Sequence, residues 1–66
     1  MEIILNGEPA SVPDGTTVAD LIERLALSGK RIALEINEDI VPRSQYGERR
    51  LQPGDRLEIV HAIGGG

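Results

Sequence analysis

The hydrophobic positions change period along the chain, and each change marks an element. Ile3, Ile4 and Leu5 form a short β-prone run that stops at Asn6-Gly7. Asn-Gly is the strongest short hairpin signal, because both central positions of a type I′ turn need positive φ. The returning arm is Glu8 to Val12, with Pro9 suited to an edge strand, where a missing N–H does no harm. Pro13-Asp14-Gly15 breaks the hairpin. Val18, Leu21, Ile22 and Leu25 then recur at helical spacing, with Asp20, Glu23 and Arg24 on the other face. Thr17 is a good N-cap, Asp20 completes a weak capping box, and Ser28-Gly29 supplies the stop. The spacing predicts one amphipathic helix of about ten residues.

Beyond it the period falls to two. Ile32, Leu34 and Ile36 alternate with Ala33, Glu35 and Asn37, as a strand with one buried face should. Asn37-Glu38-Asp39 reads as a turn and Ile40-Val41 as a brief extended piece ending at Pro42. Arg43 to Arg50 is polar, with room for a single helical turn near Tyr46, and Leu51 is a lone anchor. Gln52-Pro53-Gly54-Asp55 places proline and glycine where a type II turn requires them. The last strand is expected from Arg56 to about Ile63, with Leu57 and Ile59 inward.

Hairpin, helix, strand, polar crossover, strand is an α+β order. It predicts a mixed sheet of four to five strands packed on one helix, the β-grasp or ubiquitin-like arrangement. By fold-level analogy, the first and last strands lie side by side in the middle of the sheet. Residues 1–63 form the single domain of this reading, and residues 64–66 a flexible C-terminal glycine tail.

Composition narrows the function. A chain of 66 residues buries only about 60% of its unfolded surface, which leaves no room for a deep substrate pocket. Tyr46 is the only aromatic residue, so the stacking platforms of single-strand nucleic-acid binders are missing. Seven basic against eleven acidic residues give a net charge of −4, which repels phosphate backbones. The same acidity serves solubility, or suits a basic groove on a protein partner. The absence of cysteine excludes disulfides, thiolate metal sites and thiol nucleophiles. No basic-then-apolar leader opens the sequence, and no run nears the ~18 apolar residues of a membrane span. A cytoplasmic protein with neither membrane nor nucleic-acid partner is expected.

Internal catalysis lacks its parts. His61 is the only histidine, and a metal site would have to be built largely from carboxylates. It reads as a half-exposed strand residue. Asp14, Asp20, Glu23, Glu35, Glu38, Asp39 and Glu48 are dispersed, as solvated acids are. Ser11, Ser28 and Ser44 have no base in sight, and glycine-rich phosphate loops are absent. No catalytic residue, metal or bound cofactor is expected, so the chain is not read as an enzyme.

What remains is Gly64-Gly65-Gly66. Without Cβ atoms such a tail can enter a slot where any side chain would clash. Three glycines reach about 10 Å beyond the body at ~3.3–3.6 Å per residue. A frayed end or leftover linker residues are the bland alternative. A carboxylate at Gly66 becomes reactive once adenylylated, and a sulfur nucleophile that displaces AMP converts it to a thiocarboxylate.

Several segments together resemble the ThiS family, the sulfur carriers of thiamin biosynthesis. They are Asn6-Gly7, Pro13-Asp14-Gly15-Thr16-Thr17-Val18, Ala33-Leu34-Glu35-Ile36-Asn37, Ile40-Val41-Pro42-Arg43, Pro53-Gly54-Asp55 and the glycine end. The likeness covers essentially the whole chain. It implies that Gly66 is adenylylated by a ThiF-type adenylyltransferase using ATP and magnesium. A cysteine desulfurase or rhodanese-type donor then supplies sulfur, and a ThiG-type thiazole synthase receives it. Gly65 and Gly66 carry over directly, and Gly64 lengthens the tail to three glycines. Val41-Pro42-Arg43 is either an interaction loop or a turn fixed by Pro42 with a solvated Arg43.

Alternation along the last strand turns Glu58 and Val60 outward, with Ala62 and Ile63 beyond. Val60 with Ile4 on the first strand is the candidate docking patch, or an isolated surface valine. The small subunit of molybdopterin synthase shares the same fold and chemistry and is the nearest rival. A ubiquitin-like tag joined to lysines, or a β-grasp module with an incidental tail, are the others.

Overall fold

The computed structural model describes residues 1–61. Residues 62–66 lie outside that description, and with them the expected end of the last strand at Ile63 and the boundary between body and tail.

β1 (Glu2–Leu5) and β2 (Glu8–Ser11) form the opening hairpin. α1 (Val18–Arg24) follows, then β3 (Ile32–Ile36), β4 (Asp39–Ile40), a 3₁₀ turn at Arg43–Gln45 and β5 (Arg56–His61). The five strands make one sheet in the order β2-β1-β5-β3-β4. β1 and β5 run parallel and the other neighbours antiparallel. This is the β-grasp, with first and last strands adjacent and β5 in the centre. Pro9 sits on the edge strand β2, opposite Ile4.

Alternation decides which face is buried. Ile3, Leu34, Ile36, Leu57 and Ile59 point from the sheet toward Val18, Leu21 and Ile22 of the helix, and together they form the core. Val41, Tyr46 and Leu51 close it from the crossover. The Pro53-Gly54 turn forms as expected: Gly54 has φ 82°, and the Asp55 N–H donates to the Gln52 carbonyl at 3.1 Å.

α1 is shorter than its hydrophobic spacing predicts, at seven residues, and ends before Ser28-Gly29. The Ala26 N–H donates to the Glu23 carbonyl at 3.0 Å, and the Leu27 N–H to the Ile22 carbonyl at 2.9 Å. That is a Schellman ending, with Ala26 at φ 59° in the place glycine usually takes. The turn brings half-buried Leu27 back against the core and leaves Leu25, expected on the apolar face, 38% exposed.

The N-terminus of α1 explains the polar crossover. Thr17 and Asp20 form the capping box. The Val18 N–H donates to the Arg49 carbonyl at 2.9 Å and the Ala19 N–H to the Tyr46 carbonyl at 3.0 Å. Segment 43–50 therefore wraps the helix start and satisfies donors that no earlier turn can reach.

Candidate functional site

β5 leads the chain toward its terminus, so the site is built from what fixes that strand. Two asparagines hold it, each the first central residue of a type I′ turn. Asn6-Gly7 has φ 51° and 84°, and Asn37-Glu38 has φ 52° and 73°. The Asn37 N–H donates to the Arg56 carbonyl at 2.8 Å, and its Oδ1 accepts the Arg56 N–H at 3.0 Å. Its Nδ2 donates to Asp55 Oδ1 at 3.1 Å. Asp55, 6% exposed, accepts the Gln52 N–H through Oδ2 at 2.8 Å. A buried carboxylate is thus satisfied by neutral donors and braces the start of β5.

Asn6 acts from the opposite side of the strand. Its N–H donates to the Leu57 carbonyl at 2.8 Å, and its Oδ1 accepts the Ile59 N–H at 2.9 Å. Hairpin spacing identifies both asparagines as turn residues and misses their grip on β5. The available signal is that each turn uses asparagine where glycine would serve the backbone alone.

The residues singled out for partner contact fall as follows. Val60 lies on the outer face of the sheet, 60% exposed and opposite Ala33. Ile4 shares that face, half-buried between Pro9 and Arg56. The register does not bring the pair together. Val60 lies four residue steps along β5 from Arg56, about 13 Å at ~3.3 Å per residue. Glu58, opposite Glu35, lies between them. A depression of about 450 Å³ on this face is lined by Glu35, Asn37, Glu38, Arg56 and Glu58. Ala62, Ile63, Gly64, Gly65 and Gly66 lie outside the described residues.

The Val41-Pro42-Arg43 segment has structural duties at each position. Val41 is buried, and Pro42 enters the 3₁₀ turn in an extended conformation. The Arg43 guanidinium donates to the Lys30 carbonyl at 2.9 Å, clipping the helix exit to the crossover. His61 is exposed on β5 opposite Ile32. Among the described residues no group of three His, Asp or Glu side chains is placed to hold a metal ion. No helix there is long and apolar enough to cross a membrane.

With this frame in place the family match is decisive. The model of the ThiS family matches residues 3–66, which includes the glycine end. The chain belongs to the ThiS family. It is 36% identical to the sulfur carrier protein ThiS of Escherichia coli, over the full length of both. A crystal structure of the thiamine biosynthesis protein ThiS from Geobacter metallireducens superposes with a TM-score of 0.87 at 25% identity, each chain fully covered. A thiazole synthase of Magnetococcus marinus is 44% identical over all 66 residues, which make up 20% of that relative. The chain therefore spans about a fifth of the length of the thiazole synthases that it matches. Of the residues that carry the family likeness, Asn37 and Asp55 form the clamp at the start of β5 and Arg43 the clip at the crossover.

Proposed function

We propose that this chain is a sulfur carrier of thiamin biosynthesis whose working group is the Gly66 carboxylate. The single observation that carries this reading is a family match running through the body to the last glycine, with a named sulfur carrier matched over its entire length. The chemistry is that of an activated terminus. The carboxylate attacks the α-phosphorus of ATP on a ThiF-type adenylyltransferase, with magnesium in that partner, and pyrophosphate leaves. The terminal sulfur of a persulfide on a cysteine desulfurase or rhodanese-type donor attacks the acyl-adenylate and displaces AMP, and a thiol reductant cleaves the resulting acyl disulfide. The resulting thiocarboxylate passes its sulfur to a ThiG-type thiazole synthase.

The chain is the substrate of these steps and supplies a handle and an address. Residues 1–63 are the handle, and Gly64-Gly65-Gly66 the thread that a narrow slot admits. ATP-dependent partners of this kind put the work in the cytoplasm. Thiazole synthases that contain a region like this chain favour thiazole synthase over molybdopterin synthase as the acceptor. Outward Val60, with Ala62 and Ile63 beyond it and Ile4 farther along the face, supplies apolar contacts for the partners.

The test is a reconstituted thiazole synthesis with activating enzyme, donor and synthase. Chain lacking Gly65-Gly66, or capped as an amide at Gly66, should support no thiazole formation while keeping its thermal transition. Full activity of either form refutes the proposal.

A further inference from the structure

β1 covers β5 only as far as Leu5, opposite Leu57. Beyond that rung β5 is paired on its other side alone, through Ala33 opposite Val60 and Ile32 opposite His61. The Ile59 N–H faces the side that β1 has left. Among the described residues no main-chain carbonyl is bonded to it, and the Oδ1 of Asn6 accepts it at 2.9 Å. A side-chain amide thus adds one rung to the parallel ladder after the strand has turned away.

We infer that Asn6 is a positioning residue for the terminal carboxylate: it holds the β1 side of β5 at Ile59 and so steadies the strand end that precedes residues 62–66. The inference rests on the carrier reading above. Without that bond residues 59–61 are held by β3 alone and fray more often, and each fraying event adds unpaired residues ahead of Gly66. A longer lead lowers the effective concentration of the carboxylate at a partner's reacting centre. The opened strand also has to be ordered again on each docking. Both effects weaken productive capture and leave the chemistry of the captured terminus unchanged.

The residue type follows from two demands met at one position. A φ of 51° disfavours most side chains, and glycine, asparagine and aspartate adopt it most readily. The Ile59 N–H demands an acceptor, which glycine lacks. Asn6→Gly therefore keeps the turn and deletes the rung, whereas Asn6→Asp keeps both.

The experiment uses the full chain and its cognate activating enzyme. ATP–pyrophosphate exchange is measured against carrier concentration, alongside amide hydrogen exchange of the carrier alone. For Asn6→Gly, the Ile59 amide should exchange at least about tenfold faster while that of Leu57 stays within about twofold. KM for the carrier should rise about five- to tenfold with kcat unchanged. Asn6→Asp should restore both readouts to near the parent values. A parent-like KM in Asn6→Gly despite faster Ile59 exchange overturns the inference, as does an equal KM rise in Asn6→Asp. So does faster exchange at Leu57 as well, which would make the bond a support of the whole fold. Failure of the unaltered chain to be adenylylated would contradict the carrier reading instead, while exchange at Ile59 still decides whether Asn6 holds the strand end.

Discussion

Asn6, Ala26, Asn37 and Glu38 all stand at positive φ, and they differ in what the side chain returns for the strain. The two asparagines tolerate the left-handed region and hydrogen-bond to β5. Ala26 and Glu38 are exposed and make no such bond. The left-handed region costs an ordinary L-residue about 1–2 kcal/mol, and glycine's extra freedom in the unfolded chain offsets roughly 0.4–1 kcal/mol of any gain. Ala26→Gly should therefore stabilise the protein by about 0.5–1 kcal/mol, seen as a higher urea midpoint at unchanged slope. A lower midpoint would show that the Schellman ending does not confine this residue. Asp55 lies at the other extreme. Asp55→Ala strands the Asn37 amide and the Gln52 N–H, so a loss of about 1–3 kcal/mol is expected in the same assay. At this scale Asn-Gly was legible because its turn is local. Ala26 was not: alanine is the strongest helix former, and the helix ends there because Leu27 is drawn back to the core.

Among the elements, β3 and β5 show how burial divides two neighbouring strands into core and surface positions. Leu34 is 1% exposed and Val60 60%. Leu34→Ala should cost about 2–5 kcal/mol. A body this small holds about 3–5 kcal/mol of net stability, so that variant should be largely unfolded at 37 °C by circular dichroism. Val60→Ala should shift stability by no more than about 0.5 kcal/mol and weaken partner binding in titration calorimetry. If Val60→Ala binds its partners as the parent does, the valine is only a surface residue. Period two made both strands legible, and the capping box made the helix start legible. In the crossover the single helical turn near Tyr46 and the Leu51 anchor were legible, but its path was not, because segment 43–50 wraps the unsatisfied N–H groups of a helix that begins 25 or more residues earlier. The patch of Ile4 and Val60 failed as a contiguous surface for a similar reason. Alternation assigns a face, while parallel register decides who stands beside whom, and register set Ile4 against Arg56.

For the whole molecule, the parallel pairing of β1 with β5 was reached by analogy alone, since the contact between Asn6 and Ile59 joins residues 53 apart. No local pattern encodes that neighbour. The fold class was legible in the order of period changes, and the terminus was singled out by a sequence with no cysteine and one histidine. On the carrier reading proposed above, the body has two duties, to stay folded at minimal size and to present the end of β5 from a fixed place. Its outer face carries Glu35 against Glu58, with Arg56 on one side and Ala33 and Val60 on the other, and a partner surface with basic residues would relieve that like-charge pair further.

Intact-mass and tandem mass spectrometry would test the central claim most directly. The chain is incubated with its activating enzyme, ATP, magnesium and a sulfur donor, at a resolution that separates replacement of oxygen by sulfur from oxidation of Met1. The account predicts one sulfur-for-oxygen exchange confined to Gly66 and dependent on ATP. Sulfur found on any other residue, or gained by chain whose Gly66 is capped as an amide, would contradict it.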